Sequence, residues 1–312
     1  MMRIIDPLQK MGAKISATNK ENPPLKISPS TGLIGIAYKM PIASAQVKSS
    51  ILLAGLNAEG KTQVQEKYPT RDHTERMMKT FEANISFSKG IVEIEKSDLK
   101  TPGQIEVPGD FSSAAFFIGA CLISENSEIK IKNVGINKTR KAFLDCLLDM
   151  NANIDLANIR QLGNEEVADL VIKSSDLLPA KIMEDIVPNL IDELPLFFLI
   201  ASLIEGESEF NGLSELKHKE SDRLSIMINN LQKLDVEVHL NKDSLKIIGK
   251  KDRIFSDGVF DSHGDHRIAM TMLVAGLRSS EGLIVNNVDC INTSFPEFID
   301  QAKMLGFNFQ NG

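Results

Sequence analysis

The sequence is short of several things, and each shortage narrows what it can do. Its 312 residues include three cysteines, Cys121, Cys146 and Cys290. They are widely spaced, form no CxxC pair and offer no disulfide framework, so a reducing cytosol is the default setting. Long apolar runs are also lacking. The longest, Leu194 to Ile204, falls short of the roughly 20 residues a membrane helix needs and contains Pro195. No signal-peptide pattern opens the chain, because Arg3 and Asp6 interrupt any apolar core there. A basic excess is missing as well. The formal net charge is −7, which argues against nucleic acid as the main partner. A small anionic substrate stays open, since a few local cations suffice for one phosphate. The expectation is a cytoplasmic protein with no membrane and no nucleic-acid partner.

What is present is the composition of a globular protein, 42% hydrophobic and 25% charged. The length suits a sizeable core and suggests two domains, or one large one.

The informative feature is a repeat. Each copy has a polar opening, a small-residue apolar helix, a turn, a short strand, an amphipathic helix and an alternating strand. Copies open at Pro41 (PIASAQVKSSILLAGLNAEGKTQV), Pro108 (PGDFSSAAFFIGACLISENSEIKIKNV), Pro188 (PNLIDELPLFFLIASLIEGESEF) and Gly264 (GDHRIAMTMLVAGLRSSEGLIV). Their spacing of roughly 70 to 80 residues is enough for a whole α/β module. The first stretch, IIDPLQKMGAKISA, resembles the second half of a module, so the expectation is a chain that starts in mid-module.

Periodicity supports the class. Leu224, Met227, Ile228 and Leu231 fall on one helical face. Val236, Val238 and Leu240 alternate as in a half-buried strand. Helices and strands alternate along the chain, which predicts an α/β protein. SDLKTPGQ, with Pro102 and Gly103, reads as a polar linker.

Five groups of residues carry candidate chemistry. The openings place Ser44 and Gln46, Ser112 and Ser113, and Asp265 and His266 at helix starts. There they serve either as N-caps or as anion sites on free N–H groups and the positive dipole end. Lys217, His218, Lys219, Glu220, Asp222 and Arg223 form a second cluster. Lys219 and Arg223, four apart, are expected on one helix face, and cations at a helix start conflict with the dipole. Arg71, Asp72, His73, Glu75 and Arg76 read as a charged helix start with ordinary ion pairs. Asp265, His266 and Arg267 precede an apolar run, where the arginine needs a carboxylate or a ligand. His263 and His266 lack a third ligand at matching spacing, so no metal is expected. Asp192 and Glu193 adjoin another apolar helix, and either cap it or act in proton transfer.

Together these segments resemble the EPSP synthase family. The resemblance rests on SAQVK at 44–48, RDHTE at 71–75, PGDFSSAAFF at 108–117, NKTR at 137–140, IDELP at 191–195, KESDR at 219–223, DHRIAM at 265–270 and TSFPEF at 293–298, in that order. It implies an enolpyruvyl transferase-like fold of repeated βαβαββ modules in two domains around a cleft, the first domain incomplete. Residues 1–103 are then a partial first domain, half of one module plus one full module. Residues 104–312 are a second domain of three modules.

The implied activity is transfer of the enolpyruvyl group of phosphoenolpyruvate to the 5-hydroxyl of shikimate 3-phosphate. It proceeds by addition and elimination, with release of phosphate and no cofactor. The resemblance places Ser44, Ala45, Gln46 and Thr70 at shikimate 3-phosphate; the family more often has Ser where Thr70 stands. It places Asp192 at the shikimate hydroxyls, Lys219 at the reacting hydroxyl, and Glu220 at the proton of the phosphoenolpyruvate methylene. Gln46, Arg223 and Arg267 are placed at phosphoenolpyruvate.

SAQxK, RxHxE and NxTR resemble the subgroup called class II. Some members carry a Lys where this chain has Thr293. Family groups that contact both substrates fall ahead of Met1. The expectation is therefore a truncated chain that self-associates or takes a complementing N-terminal piece. Two alternatives remain: the sister transferase acting on UDP-N-acetylglucosamine, which often uses a loop cysteine, and a non-catalytic fragment.

Overall fold

One strand order recurs along the chain. The structure, a computed structural model, describes residues 1–18 and 21–310. Two lobes divide it. The first comprises Met1–Val107 with Gln161–Glu166, and the second Pro108–Arg160 with Val167–Gly312.

In the first lobe come α1 (Met2–Lys10), β1 (Lys14–Thr18), β2 (Asn22–Ser28), β3 (Leu33–Ile34), β4 (Ala37–Lys39), α2 (Ala45–Gly55), β5 (Ala58–Glu59), β6 (Thr62–Gln65), α3 (His73–Thr80), β7 (Ile85–Ser88) and β8 (Ile91–Ile94). β4 and β6 are parallel, with α2 as the crossover that parallel pairing demands. β8 then pairs antiparallel with both β6 and β7, for a sheet order β4-β6-β8-β7. α1, β1 and β2 supply the helix and strand pair that end such a module. The core here is Met11, Met40, Val47, Ile51, Leu52, Val64, Met78, Val92 and Ile94, with neighbours.

The next elements are α4 (Phe111–Ile123), β9 (Glu128–Gly135), α5 (Ala142–Asp149), β10 (Asn153–Leu162), β11 (Glu165–Lys173), β12 (Lys181–Ile182), α6 (Leu194–Ser202), β13 (Gly206–Phe210), α7 (Arg223–Lys233), β14 (Glu237–Asn241), β15 (Ser244–Gly249), β16 (Gly258–Asp261), α8 (His266–Ala275), β17 (Leu283–Asn286) and α9 (Phe298–Met304). The sheet β12-β13-β15-β14 repeats the first-lobe order with the same parallel and antiparallel pairings. In the sheet β10-β11-β9 the first strand is reduced to one parallel bridge, Gly109 to Val134. β16 and β17 are parallel across α8. The βαβαββ reading of the repeat is therefore the fold.

The first two modules of the second lobe each contribute one helix buried almost throughout and one two-faced helix. Every residue of α6 is buried, as is all of α4 except Ser113, which suits helices apolar on all sides. α4, α6 and α8 pack on one another. Gly119 permits the α4–α6 approach, because a Cβ there would meet Leu196 Cδ1 at 3.0 Å. Edge-on phenylalanines, Phe143–Phe197 at 5.3 Å and Phe198–Phe210 at 4.9 Å, join the layers. α7 buries Leu224, Met227 and Leu231, as its periodicity predicts. Leu240 departs from prediction and is exposed. It lies on the edge strand β14, one residue before the hairpin turn.

Candidate active site

Helix starts do place the chemistry, and capping accounts for several of them. Ser44 caps α2, its Oγ accepting from Val47 N. Asp110 accepts from Ser113 N at 2.8 Å and Ser113 Oγ at 3.0 Å. Asp222 and Asp265 cap α7 and α8 through Ser225 N and Arg267 N. Ser112 is used differently. It is buried, and its hydroxyl sits between Arg140 and Glu193, hydrogen-bonded to both.

The second lobe gathers its charges on Asp192. Lys219 Nζ lies 3.5 Å from Asp192 Oδ1, Arg223 Nη1 donates to the same oxygen at 3.3 Å, and Arg140 Nη1 lies 3.7 Å from Oδ2. Lys219 and Arg223 do not share a helix face as their spacing suggested. α7 begins at Arg223, and Lys219 is extended after the 3-10 turn Leu213–His218. Asp192, ahead of α6 in the same module, brings the two cations together.

Arg223 is buried and well supplied with acceptors. Its Nε donates to Asp265 Oδ2 at 2.8 Å, its Nη2 to Asp265 Oδ1 at 3.4 Å, and Nη2 also pairs with Glu220. These carboxylates resolve the conflict between a cation and a helix start. Arg267 Nη1 donates to the Asp192 carbonyl at 3.2 Å and lies 3.6 Å from Glu193 Oε1. Arg140, Lys219, Arg223 and Arg267 thus face Asp192, Glu193, Glu220 and Asp265. Among these, Glu220 is the most open, its side chain 54% exposed.

Burial shapes the proton affinities. It pushes the Glu193 carboxyl above the usual range, with Asp192 adding to the rise and Arg140 and Arg267 opposing it. Burial also pushes at Asp265, but hydrogen bonds and charge from Arg223 prevail and hold it below the usual range. Burial and then Arg267 lower the affinity of His266. Among the described residues, no group of three or more His, Cys, Asp and Glu is placed to hold a metal ion. Nor is any helix among them long and apolar enough to cross a membrane.

The first lobe holds the other expected residues around a buried lysine. Ser44 and Ala45 are half-buried at the start of α2, and Gln46 is exposed beside them, its Oε1 3.5 Å from Ser44 Oγ. Lys48, one turn on, is 1% exposed. Its Nζ lies 2.7 Å from Glu75 Oε1 and 3.1 Å from Glu66 Oε2, and donates to the Thr70 carbonyl at 3.3 Å. Thr70 is buried, its hydroxyl and N–H both bonded to Glu66. At the RDHTE segment, Asp72 forms an ordinary ion pair with Arg76 Nε at 2.8 Å, and His73 Nδ1 lies 2.7 Å from Glu165 Oε1. Glu75 is not of that kind, and burial raises its proton affinity against the pull of Lys48.

Sequence reasoning missed the roles of Lys48, Arg140 and Ser112. A signal existed for Lys48. It lies with Val47, Ile51, Leu52 and Gly55 on the buried face of α2, where a lysine needs a carboxylate. Arg140 and Ser112 offered no such signal, since their partner Glu193 is far along the chain.

The family model for EPSP synthase (3-phosphoshikimate 1-carboxyvinyltransferase) matches residues 1–302. The chain belongs to the EPSP synthase family. It is 43% identical over 306 residues to the 3-phosphoshikimate 1-carboxyvinyltransferase of Alkaliphilus metalliredigens, covering 98% of this chain and 71% of that relative. The enzyme of the same name from Magnetococcus marinus is 44% identical over 312 residues, covering 100% and 70%. The solved EPSP synthase of Acinetobacter baumannii superposes with a TM-score of 0.87 at 41% identity, covering 99% of this chain and 71% of that one. NikO, an enolpyruvyl transferase from Streptomyces tendae, matches with a TM-score of 0.78 at 15% identity, which speaks for the fold alone. Of the two enolpyruvyl transferase readings, the family and its relatives favour the shikimate one over UDP-N-acetylglucosamine.

Proposed function

We propose that the protein transfers the enolpyruvyl group of phosphoenolpyruvate to the 5-hydroxyl of shikimate 3-phosphate, acting in the cytoplasm and with class II character. The observation that carries this reading is the convergence of Lys219, Arg223 and Arg140 on Asp192, with Arg267 alongside, in a chain of this family. Residues 1–103 are read as part of the first domain and 104–312 as the second.

The chemistry needs two anions held together and protons moved. Arg267 has one amino group committed to the Asp192 carbonyl, and its fork suits a phosphate or carboxylate. Arg223 is closed in by three carboxylates, of which only Glu220 is largely exposed. The phosphoenolpyruvate anion takes the place of Glu220 on Nη2, and this frees Glu220 to deliver the proton to C3. Asp192 holds the shikimate hydroxyls, and Lys219, touching Asp192, meets the 5-hydroxyl as it attacks C2. Asp192 takes the proton that leaves the 5-hydroxyl, and the adduct then expels phosphate as Glu220 takes a proton back from C3 and the double bond re-forms. Ser44, Ala45, Gln46 and Thr70 supply contacts to shikimate 3-phosphate, Gln46 reaching phosphoenolpyruvate too. Thr70 reaches its ligand only if its hydroxyl turns from Glu66.

The test is phosphate release from the two substrates. The chain spans about 70% of the length of its relatives, so a second arm supplies the remaining stretch of a relative in trans, and sedimentation follows self-association. Release that Glu220→Gln lowers by at least about 10²-fold is expected. Equal release from the variant, or turnover of UDP-N-acetylglucosamine in place of shikimate 3-phosphate, overturns the reading.

A further inference from the structure

Glu193 stands at the cap position of α6, yet its side chain makes no capping hydrogen bond. It is fully buried. Oε1 instead accepts from Ser112 Oγ, with Arg140 Nη2 at 3.5 Å and Arg267 Nη1 at 3.6 Å. Its other oxygen, Oε2, is buried without a hydrogen-bond partner. A carboxylate left half-satisfied in the interior is costly, and helix capping does not account for it here.

The geometry of the pair Asp192 and Glu193 does account for it. Consecutive carboxylates divide the cations between them. Asp192 faces Lys219 and Arg223, whereas Glu193 faces Arg267. Arg140 spans both, Nη1 toward Asp192 and Nη2 toward Glu193. Among the described residues the other side-chain hydrogen bond of Arg267 is to a backbone carbonyl, so Glu193 is the charged group that sets its direction. Ser112, from α4, in turn holds Glu193.

We propose that Glu193 is a positioning residue for the transfer reaction: from beneath the site it fixes Arg267 for the phosphoenolpyruvate anion and Arg140 behind Asp192. The role of Arg267 rests on the function proposed above; the positioning itself does not. Glu193 acts as the carboxylate. The groups facing it are Ser112 from α4, Arg140 ahead of α5, its neighbour Asp192 and Arg267 from α8. Lys219 and Arg223 face Asp192. Burial raises its proton affinity, so falling pH neutralises Glu193 before an ordinary carboxylate, and Arg267 loses its anchor.

The test compares wild type, Glu193→Gln and Glu193→Asp for turnover against pH and for the Nε–H signals of Arg267 and Arg140 by NMR. In Glu193→Gln, KM for phosphoenolpyruvate is expected to rise about tenfold, more than KM for shikimate 3-phosphate, and its increase toward acid pH is expected to flatten. Glu193→Asp recovers part of the loss. The two arginine signals broaden in Glu193→Gln while the thermal midpoint stays within about 5 °C of wild type. An unchanged KM, or a uniform fall in activity with both arginine signals intact, overturns the inference. Arginine signals that are sharp in wild type and broadened in Glu193→Gln, with turnover absent from both, uphold the positioning and count against the proposed function alone.

Discussion

Arg223 Nε lies 2.8 Å from Asp265 Oδ2, and the two side chains are 1% and 0% exposed. The arginine opens α7 and the aspartate caps α8, so the pair joins two helix starts from neighbouring modules. It also sets the direction from which Arg223 reaches Asp192 and Glu220.

Breaking this pair leaves a buried guanidinium short of its counter-charge. Asp265→Ala is expected to lower unfolding stability by about 3–5 kcal/mol, read from urea denaturation. The pH dependence has a definite sign. Asp265 is held below its ordinary value of 3.8 in the folded protein. Its contribution is present above that value and lost as pH falls through the lower folded one. Wild type therefore resists acid to lower pH than Asp265→Asn.

Glu75 behaves in the opposite sense. Burial raises its folded proton affinity above the ordinary value of 4.5. Between that value and the raised one the folded state holds more protons, so its contribution is lost as pH rises. Stability of Glu75→Gln, measured from denaturant midpoints at several pH values, should gain on wild type as pH climbs from there. Parallel curves for the two proteins would exclude this role. Lys48→Ala, which strands Glu66 and Glu75 together, should cost about 3–5 kcal/mol.

The thiols should separate by reactivity. Burial pushes Cys121 up to about 11 and Cys146 up to about 12, leaving almost no thiolate at pH 8. Cys290 is half-exposed. Peptide mapping after native alkylation should find label at Cys290 and little at the other two until denaturant is added. Equal labelling of all three would contradict the packing of α4 and α5.

Two glycines make a paired test of packing. A Cβ at Gly249, which ends β15, would fall on the carbonyl oxygens of Ala201 and Ile204. At Gly276 nothing lies within 4 Å and φ is −56°. Gly249→Ala should destabilise by roughly 1–3 kcal/mol. Gly276→Ala should stabilise by about 0.4–1 kcal/mol, through loss of unfolded-state freedom. Thermal melts of both variants check the pair.

The sequence by itself determined the repeat, the α/β class and the burial of the helices. Val47, Ile51 and Leu52, or Leu224, Met227 and Leu231, lie a turn or less apart, and local periodicity decides which face turns inward. Motif order likewise marked Asp192, Lys219, Glu220, Arg223 and Arg267 as candidates. Which charge meets which was decided only by the tertiary structure. Asp265 reaches Arg223 across 42 residues, and Ser112 reaches Glu193 across 81. Lys219 sits outside the helix that its spacing from Arg223 implied. The physical reason is range. A helix face is set by the few residues around each position, whereas a buried ion pair exists only once separate modules have packed and removed water from between its partners.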